Sequence, residues 1–274
     1  MSVCCKDLLH LPHFSTVTLL AGSNGLSRIV SWPYVGINAS ISEWINGEEL
    51  LFIEPPQSSA SIKETDMIAL LEQCIAKNLA GLVLLLPDDP TYQIPDSLLY
   101  LADQMEFPLF RMPWNVKLID VTKEIIQVIE KARELSENLR LFLKKLLFSE
   151  SVNPYSLSSF YGYTLYPIHF CCTLQPTQTS MLPKDILYKS FIRELSGLHC
   201  NQDWNYFWGT FDGKLTVLVT AKDLNIATKA DALICQSFQQ AFPAAAQFSP
   251  PLYLGISYLS DDPKSIRNSY LKSI

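Results

Sequence analysis

Residues 65–86 read TDMIALLEQCIAKNLAGLVLLL. From Thr65 to Asn78 the apolar residues Met67, Leu70, Leu71, Cys74 and Ile75 recur at helical spacing, with Glu72 on the polar side. Gly81 to Leu86 follows as an uninterrupted apolar run, the pattern of a strand buried on both faces. Working outward, Thr16–Leu20, Arg28–Val35 and Glu49–Ile53 are short runs rich in β-branched, aliphatic and aromatic residues, the last stopped by Pro55-Pro56. On the other side, Pro95–Met105 reads as a helix with proline in its first turn, and Phe107–Arg111 as a further strand. Strands alternating with helices predict an α/β domain over residues 1–116 with a largely parallel sheet.

Residues 117–150 carry a different signal. Leu118, Val121, Ile125, Val128, Ala132, Leu135, Leu139, Phe142 and Leu146 follow one another at alternating spacings of 3 and 4, with no Gly or Pro between Lys117 and Glu150. An unbroken heptad stripe of this kind predicts a long helical linker that pairs with a second copy as a coiled coil; the competing reading is a long amphipathic helix packed on its own domain. Asn153-Pro154 is read as the end of that helix.

Residues 151–274 read as strand, helix, strand, strand, helix, strand, helix: Thr164–Leu174, Pro183–Ser196, Tyr206–Thr210, Lys214–Thr220, Ala227–Phe242, Leu252–Ser257 and Asp262–Ile274. Asp212-Gly213 between two strand-like runs is a strong hairpin signal. An α+β domain is expected here, cut short within its last helix.

The 274 residues are 48% hydrophobic and 18% charged, which excludes intrinsic disorder. Lys and Arg total 21 against 27 Asp and Glu, a net charge of −6 that gives no global footprint for nucleic acid. No secretory signal opens the chain, and its apolar runs are far shorter than a membrane span requires. Seven cysteines, four of them in the adjacent pairs Cys4-Cys5 and Cys171-Cys172, imply no disulfide framework, so a cytoplasmic protein is expected and the sequon Asn38-Ala39-Ser40 is read as chance.

Signals for chemistry are sparse. The four histidines are His10, His13, His169 and His199; His10 and His13 near Cys4 and Cys5 lack the paired spacing of a zinc site, so no metal and no cofactor is expected. There is no G-x-S-x-G, P-loop, G-x-G-x-x-G or H-E-x-x-H motif. Arg28, after the turn Gly22-Ser23-Asn24-Gly25, suits an anionic metabolite because its guanidinium forks carboxylates; the plainer reading is a structural clamp to Glu48 or Glu49. Gly22 and Gly25 serve a tight turn, while Trp32 and Trp44 are packing residues or ligand stackers.

One resemblance organises these residues. Asp7-Leu8-Leu9, Leu11-Pro12, Leu20-Ala21-Gly22, Gly25-Leu26, Arg28, Val30, Trp32, Trp44-Ile45, Gly47-Glu48-Glu49-Leu50-Leu51, Ala80-Gly81-Leu82 and Phe107-Pro108-Leu109 resemble, in order and spacing, the N-terminal domain of PucR-type purine catabolism regulators. Asp212–Leu218, Leu254-Gly255-Ile256-Ser257 and Ser269-Tyr270 are similar to the GGDEF-like, CdaR-type middle domain of the same regulators, without the catalytic G-G-[DE]-E-F loop. The chain departs from the family pattern at Tyr34 and at Phe52–Pro56, both near a possible effector pocket.

The resemblance implies the effector-sensing, dimerising part of a transcriptional regulator, non-catalytic, with DNA contact confined to a C-terminal helix-turn-helix domain not in this sequence. Its effector-binding candidates are Arg28, Trp32, Glu48, Gly22 and Gly25, and its partners a second copy and a small molecule. The alternatives are an enzyme built on Arg28, Glu48 and Glu49, and an interaction protein that pairs with a full-length relative.

Overall fold

A computed structural model describes residues 2–36, 45–54, 57–58, 61–62, 64–87, 93–149, 152–176, 183–198, 203–242 and 252–274. Trp44, the sequon at 38–40, Pro55-Pro56 and His199 lie outside the described residues. The chain forms two compact units, Met1–Leu135 and Ser136–Ile274.

In the first unit the elements run α1 (Cys5–Leu8), β1 (Thr18–Ala21), β2 (Trp32–Gly36), β3 (Glu49–Ile53), a short hairpin of β4 (Gln57–Ser58) and β5 (Ser61–Ile62), α2 (Glu64–Ala76), β6 (Gly81–Leu86), α3 (Asp96–Gln104), β7 (Leu109–Pro113) and the start of α4 (Leu118–Phe148). The main sheet has the order β1-β7-β6-β3-β2. β2, β3, β6 and β7 are parallel and β1 joins β7 antiparallel. Side chains alternate across the pleat, so the strands feed two cores. Leu51, Ile53, Leu82 and Leu84 pack with Met67, Leu70 and Leu71 of α2 and Leu98 of α3. Leu50, Phe52, Val83 and Phe110 pack with Val121, Ile125 and Ile129 of α4. This α/β/α layering is why β3 and β6 read as apolar runs without alternation.

β2 begins at Trp32 rather than Arg28. Residues 28–31 bond elsewhere: Arg28 N–H to Gly25, Val30 N–H to Val3 and Ser31 N–H to Glu48.

The second unit takes the last turns of α4 and then α5 (Pro154–Tyr161), β8 (Ile168–Pro176), α6 (Lys184–Ser196), β9 (Trp204–Phe211), β10 (Lys214–Ala221), α7 (Leu224–Ala241), β11 (Leu252–Ile256) and α8 (Ile266–Ser273). Its sheet is antiparallel with order β11-β8-β10-β9. A βαββαβ path in this order is the ferredoxin-like arrangement. Asp212 and Gly213 both have positive φ, 49° and 73°, as a two-residue primed turn requires. One sheet face packs Phe170, Leu174, Val217 and Val219 against Leu187 and Phe191 of α6 and Ala230 and Ile234 of α7. The other packs Cys171, Phe207 and Leu218 against Phe142, Leu143, Leu146 and Leu147 of α4 and Ile266 and Tyr270 of α8.

Asn153-Pro154 begins a helix as well as following one, which corrects the sequence reading. The Asn153 side chain accepts from the N–H groups of Tyr155 and Ser156, and Pro154 sits in the first turn. The strand expected from Thr164 accordingly starts only at Ile168.

Candidate functional site

The sheet order sets a problem that the first unit solves with one segment. β1 lies at one edge and β2 at the other. Gly22 to Ser31 must therefore cross the amino-terminal ends of β7, β6 and β3, and it docks on each in turn. Gly22, at φ 76°, donates its N–H to Asp103 Oδ1 at 2.6 Å. A Cβ on Gly22 would lie 1.9 Å from the carbonyl oxygen of Phe107, and one on Gly25 1.9 Å from that of Glu106. Arg28 comes next, against the turn before β6. Ser31 N–H closes the crossing on the carbonyl of Glu48, just before β3.

The docking points are themselves helix ends. Asn78 and Glu106 take positive φ, 54° and 47°, just beyond α2 and α3. In each case the next N–H reaches back five residues, Leu79 to Cys74 and Phe107 to Ala102, as in a Schellman cap. Glu48, at φ 66°, has no helix to terminate; its N–H bonds the carbonyl of Asn78.

Arg28 is fixed from three sides. Nε donates to the carbonyl of Leu79 at 3.0 Å, Nη2 donates to Oδ1 of Asn78 at 3.0 Å, and the guanidinium lies 5.2 Å from the centre of the Phe107 ring. Nη1 has no hydrogen-bond partner among the described residues. Ser27, Arg28, Glu48, Asn78 and Ala80 line a concavity of about 240 Å³ here. Glu49 does not join it: its nearly buried carboxylate accepts the N–H groups of Asn46 and Gly47 at 3.0 and 2.7 Å. The clamp expected between Arg28 and Glu48 or Glu49 thus forms instead with Asn78 and Leu79. Trp32 stands on edge strand β2, 42% exposed, away from that lining.

Within the heptad stripe, Val121 and Ile125 are fully buried in the first unit, and Leu118, Val128 and Ala132 pack partly against the same core. Phe142 and Leu146 are buried in the second unit, with Leu139 packed partly beside them. Leu135 is 45% exposed.

Other candidates resolve into packing. His13 donates its N–H to Glu124 at the surface, and no group of three or more potential metal ligands converges among the described residues. His169 is buried, with Nε2 3.2 Å from Ser265 Oγ, and burial holds its pKa below the ordinary value. Burial pushes the Cys5 and Cys74 thiols up to about 12 and those of Cys171 and Cys172 upward as well, so none is an activated nucleophile. A larger concavity in the second unit, about 760 Å³, went unread in the sequence. Leu146, Asn153, Tyr155, Lys264 and Arg267 line it, residues scattered over α4, the cap and first turn of α5, the turn before α8 and α8 itself, with no motif to join them.

Residues 7–129 match the purine catabolism regulatory protein-like family. Over these residues the chain is similar to a PucR-type domain. The match ends at Ile129, the last α4 residue buried against the first unit's sheet, so the opening turns of α4 belong to the PucR-type fold. Residues that carry the resemblance in the sequence also acquire a physical meaning: Gly22, Gly25, Arg28, Glu48 and Phe107-Pro108 are the stations of one crossing segment and its anchors. No curated protein matches the chain. Among solved structures, the C-terminal segment of the alpha subunit of aIF2 from Pyrococcus abyssi is similar at 12% identity over 48% of this chain and 95% of that one, with a TM-score of 0.27. The intact alpha subunit from the same organism is similar at 13% identity over 55% and 72%, with a TM-score of 0.25. Scores this low carry no argument. No helix among the described residues is long and apolar enough to cross a membrane.

Proposed function

We propose that the chain is the effector-sensing and self-associating part of a transcriptional regulator of the purine-catabolism type, with no chemistry of its own. The PucR-type domain is the sensor, and the second unit is a GGDEF-like middle domain that has kept the βαββαβ path without a cyclase loop. α4 carries the state of the sensor onward, since its first turns are part of the sensor's core.

The observation that carries the sensing reading is Arg28: held by two hydrogen bonds and a ring, with Nη1 without a hydrogen-bond partner among the described residues and the residue itself in the lining of a concavity. A preorganised guanidinium edge of this kind suits a carboxylate. Glu48, which has an interaction of its own, adds negative charge to the same lining and disfavours a dianion, so the best match is a small metabolite with a single carboxylate and uncharged polar groups. The concavity lies just below the usual range for small-molecule sites, which fits a ligand of that size.

A thermal-shift series with allantoate, urate and malonate tests this. Allantoate, with both groups, is expected to raise the melting temperature, and malonate to do so less. A melting temperature unmoved by all three contradicts the assignment.

A further inference from the structure

A sheet edge exposes a row of backbone donors and acceptors, and folded proteins guard such edges with bulges, prolines, charges or brevity. Three of the four edges of the two larger sheets are guarded. β1 has four residues and a register shift between Leu19 and Ala21. β2 carries Pro33, which has no N–H to offer. β11 has five residues; beyond it the chain meets β8 through the hydrogen bonds of Ser257 with Cys171 and the isolated bridge of Ser260 with His169.

β9 has none of these devices. Its sequence WNYFWGTF contains neither charge nor proline. It pairs with β10 through eight consecutive residues without a register break, and no described strand lies on its other side. Trp204, Tyr206 and Trp208 share the face that looks toward α6 and α7, where Tyr206 and Trp208 are only half-buried; Phe207 and Phe211 point to the opposite core.

We propose that β9 is the self-association edge of this protein and that its occupant is β9 of a second copy, antiparallel about a two-fold axis. The symmetry limits the register. A two-fold perpendicular to the sheet keeps like faces together, so a residue must meet one of the same parity. With Phe207 opposite Phe207 of the second copy, Tyr206 falls opposite Trp208, twice, making two aromatic cross-strand pairs on one face. The strand carries no charge that would repel its own copy, and none that would select an acidic or basic partner. Two four-stranded sheets would become one of eight strands, and the unguarded edge would vanish. This proposal stands apart from the sensing reading and from any pairing through α4.

The test uses the full chain. Sedimentation velocity is expected to give the mass of two chains for the wild type. The double variant Asn205→Lys, Thr210→Lys places charge on the edge at a half-buried and an exposed position. It is expected to give the mass of one chain with an unchanged circular dichroism spectrum, whereas Leu135→Glu keeps the mass of two. Hydrogen exchange of the wild type serves if the lysine variant does not fold: β9 amides should exchange about as slowly as those of β10 at high protein concentration and faster on dilution. A monomeric wild type, a lysine variant that stays dimeric, a Leu135→Glu variant that becomes monomeric, or β9 amides that exchange rapidly at every concentration overturns the proposal.

Discussion

Arg28 Nη2 donates to Asn78 Oδ1 at 3.0 Å, and Asn78 is the left-handed residue that ends α2. One hydrogen bond thus ties the segment crossing the sheet to the cap of the helix that precedes β6. The same pattern repeats one strand away, where Gly22 and Gly25 press on the carbonyls of Phe107 and Glu106 at the cap of α3. The crossing is held by backbone geometry as much as by side chains.

That geometry makes the glycines costly to replace. A Cβ at Gly25 would stand 1.9 Å from a backbone oxygen, and at Gly22 it would add the strain of a positive φ. Gly22→Ala and Gly25→Ala are each expected to lower unfolding stability by about 3 kcal/mol, the upper part of the range for overpacking. Urea unfolding measures this; losses below about 0.5 kcal/mol, the size of a neutral surface change, would mean that the crossing is not tightly docked.

The heptad stripe gives a graded prediction along α4. Ile125 and Phe142 are fully buried in their own units, so Ile125→Ala and Phe142→Ala should each cost about 2–5 kcal/mol. Leu135→Ala should stay within about 0.5 kcal/mol in a dilute sample. Equal losses at all three positions would show that the helix is held by a uniform seam and not by two separate cores.

His169 gives a pH dependence. Burial lowers its pKa, against the opposing charges of Asp262 and Asp261, so the folded chain resists a proton that the unfolded chain accepts at the ordinary value of 6.5. The unfolded state therefore binds more protons as pH falls below that value, and stability drops as pH goes from about 7 to about 5. Denaturant midpoints across this range should fall for the wild type and fall less for His169→Gln, which keeps an amide N–H within reach of Ser265 Oγ. Identical slopes for the two proteins would remove His169 from the account.

Thiol chemistry separates the buried cysteines from the accessible ones. Cys4 and Cys235 are half-buried and Cys5, Cys74, Cys171 and Cys172 are buried; burial raises the pKa of all six thiols, so access is what separates the two groups. Alkylation of the native protein at about pH 8, just below the thiol's ordinary range, should label Cys4 and Cys235 first and leave the buried four until denaturant is added. Early labelling of Cys171 or Cys172 would mean that the second unit opens readily.

The strand–helix alternation was legible because β3, β6, α2 and α3 are local patterns: apolar runs, helical spacing and turn residues close in sequence. The hairpin at Asp212-Gly213 was legible for the same reason. The partners of Arg28 were not, because Asn78 is fifty residues away and only the strand order brings the two together. The heptad stripe was read as one surface because a helix has one periodicity, yet the structure gives its two ends to different cores; nothing in the spacing of 3 and 4 records which molecule fills the groove. Asn153-Pro154 reads as a stop, yet it also starts a helix, since the residues that stop one helix are good at starting the next.

The central claim is that Arg28, besides bracing the crossing segment, receives the effector's carboxylate. Isothermal titration of allantoate into the wild type and into Arg28→Lys tests it most directly. Lysine keeps the charge but loses the planar fork. The account predicts saturable binding to the wild type and at least a tenfold weaker Kd for Arg28→Lys, about 1.4 kcal/mol, with the folded state of both confirmed by matching circular dichroism. Equal affinity in the two proteins, or no binding to either, would contradict it.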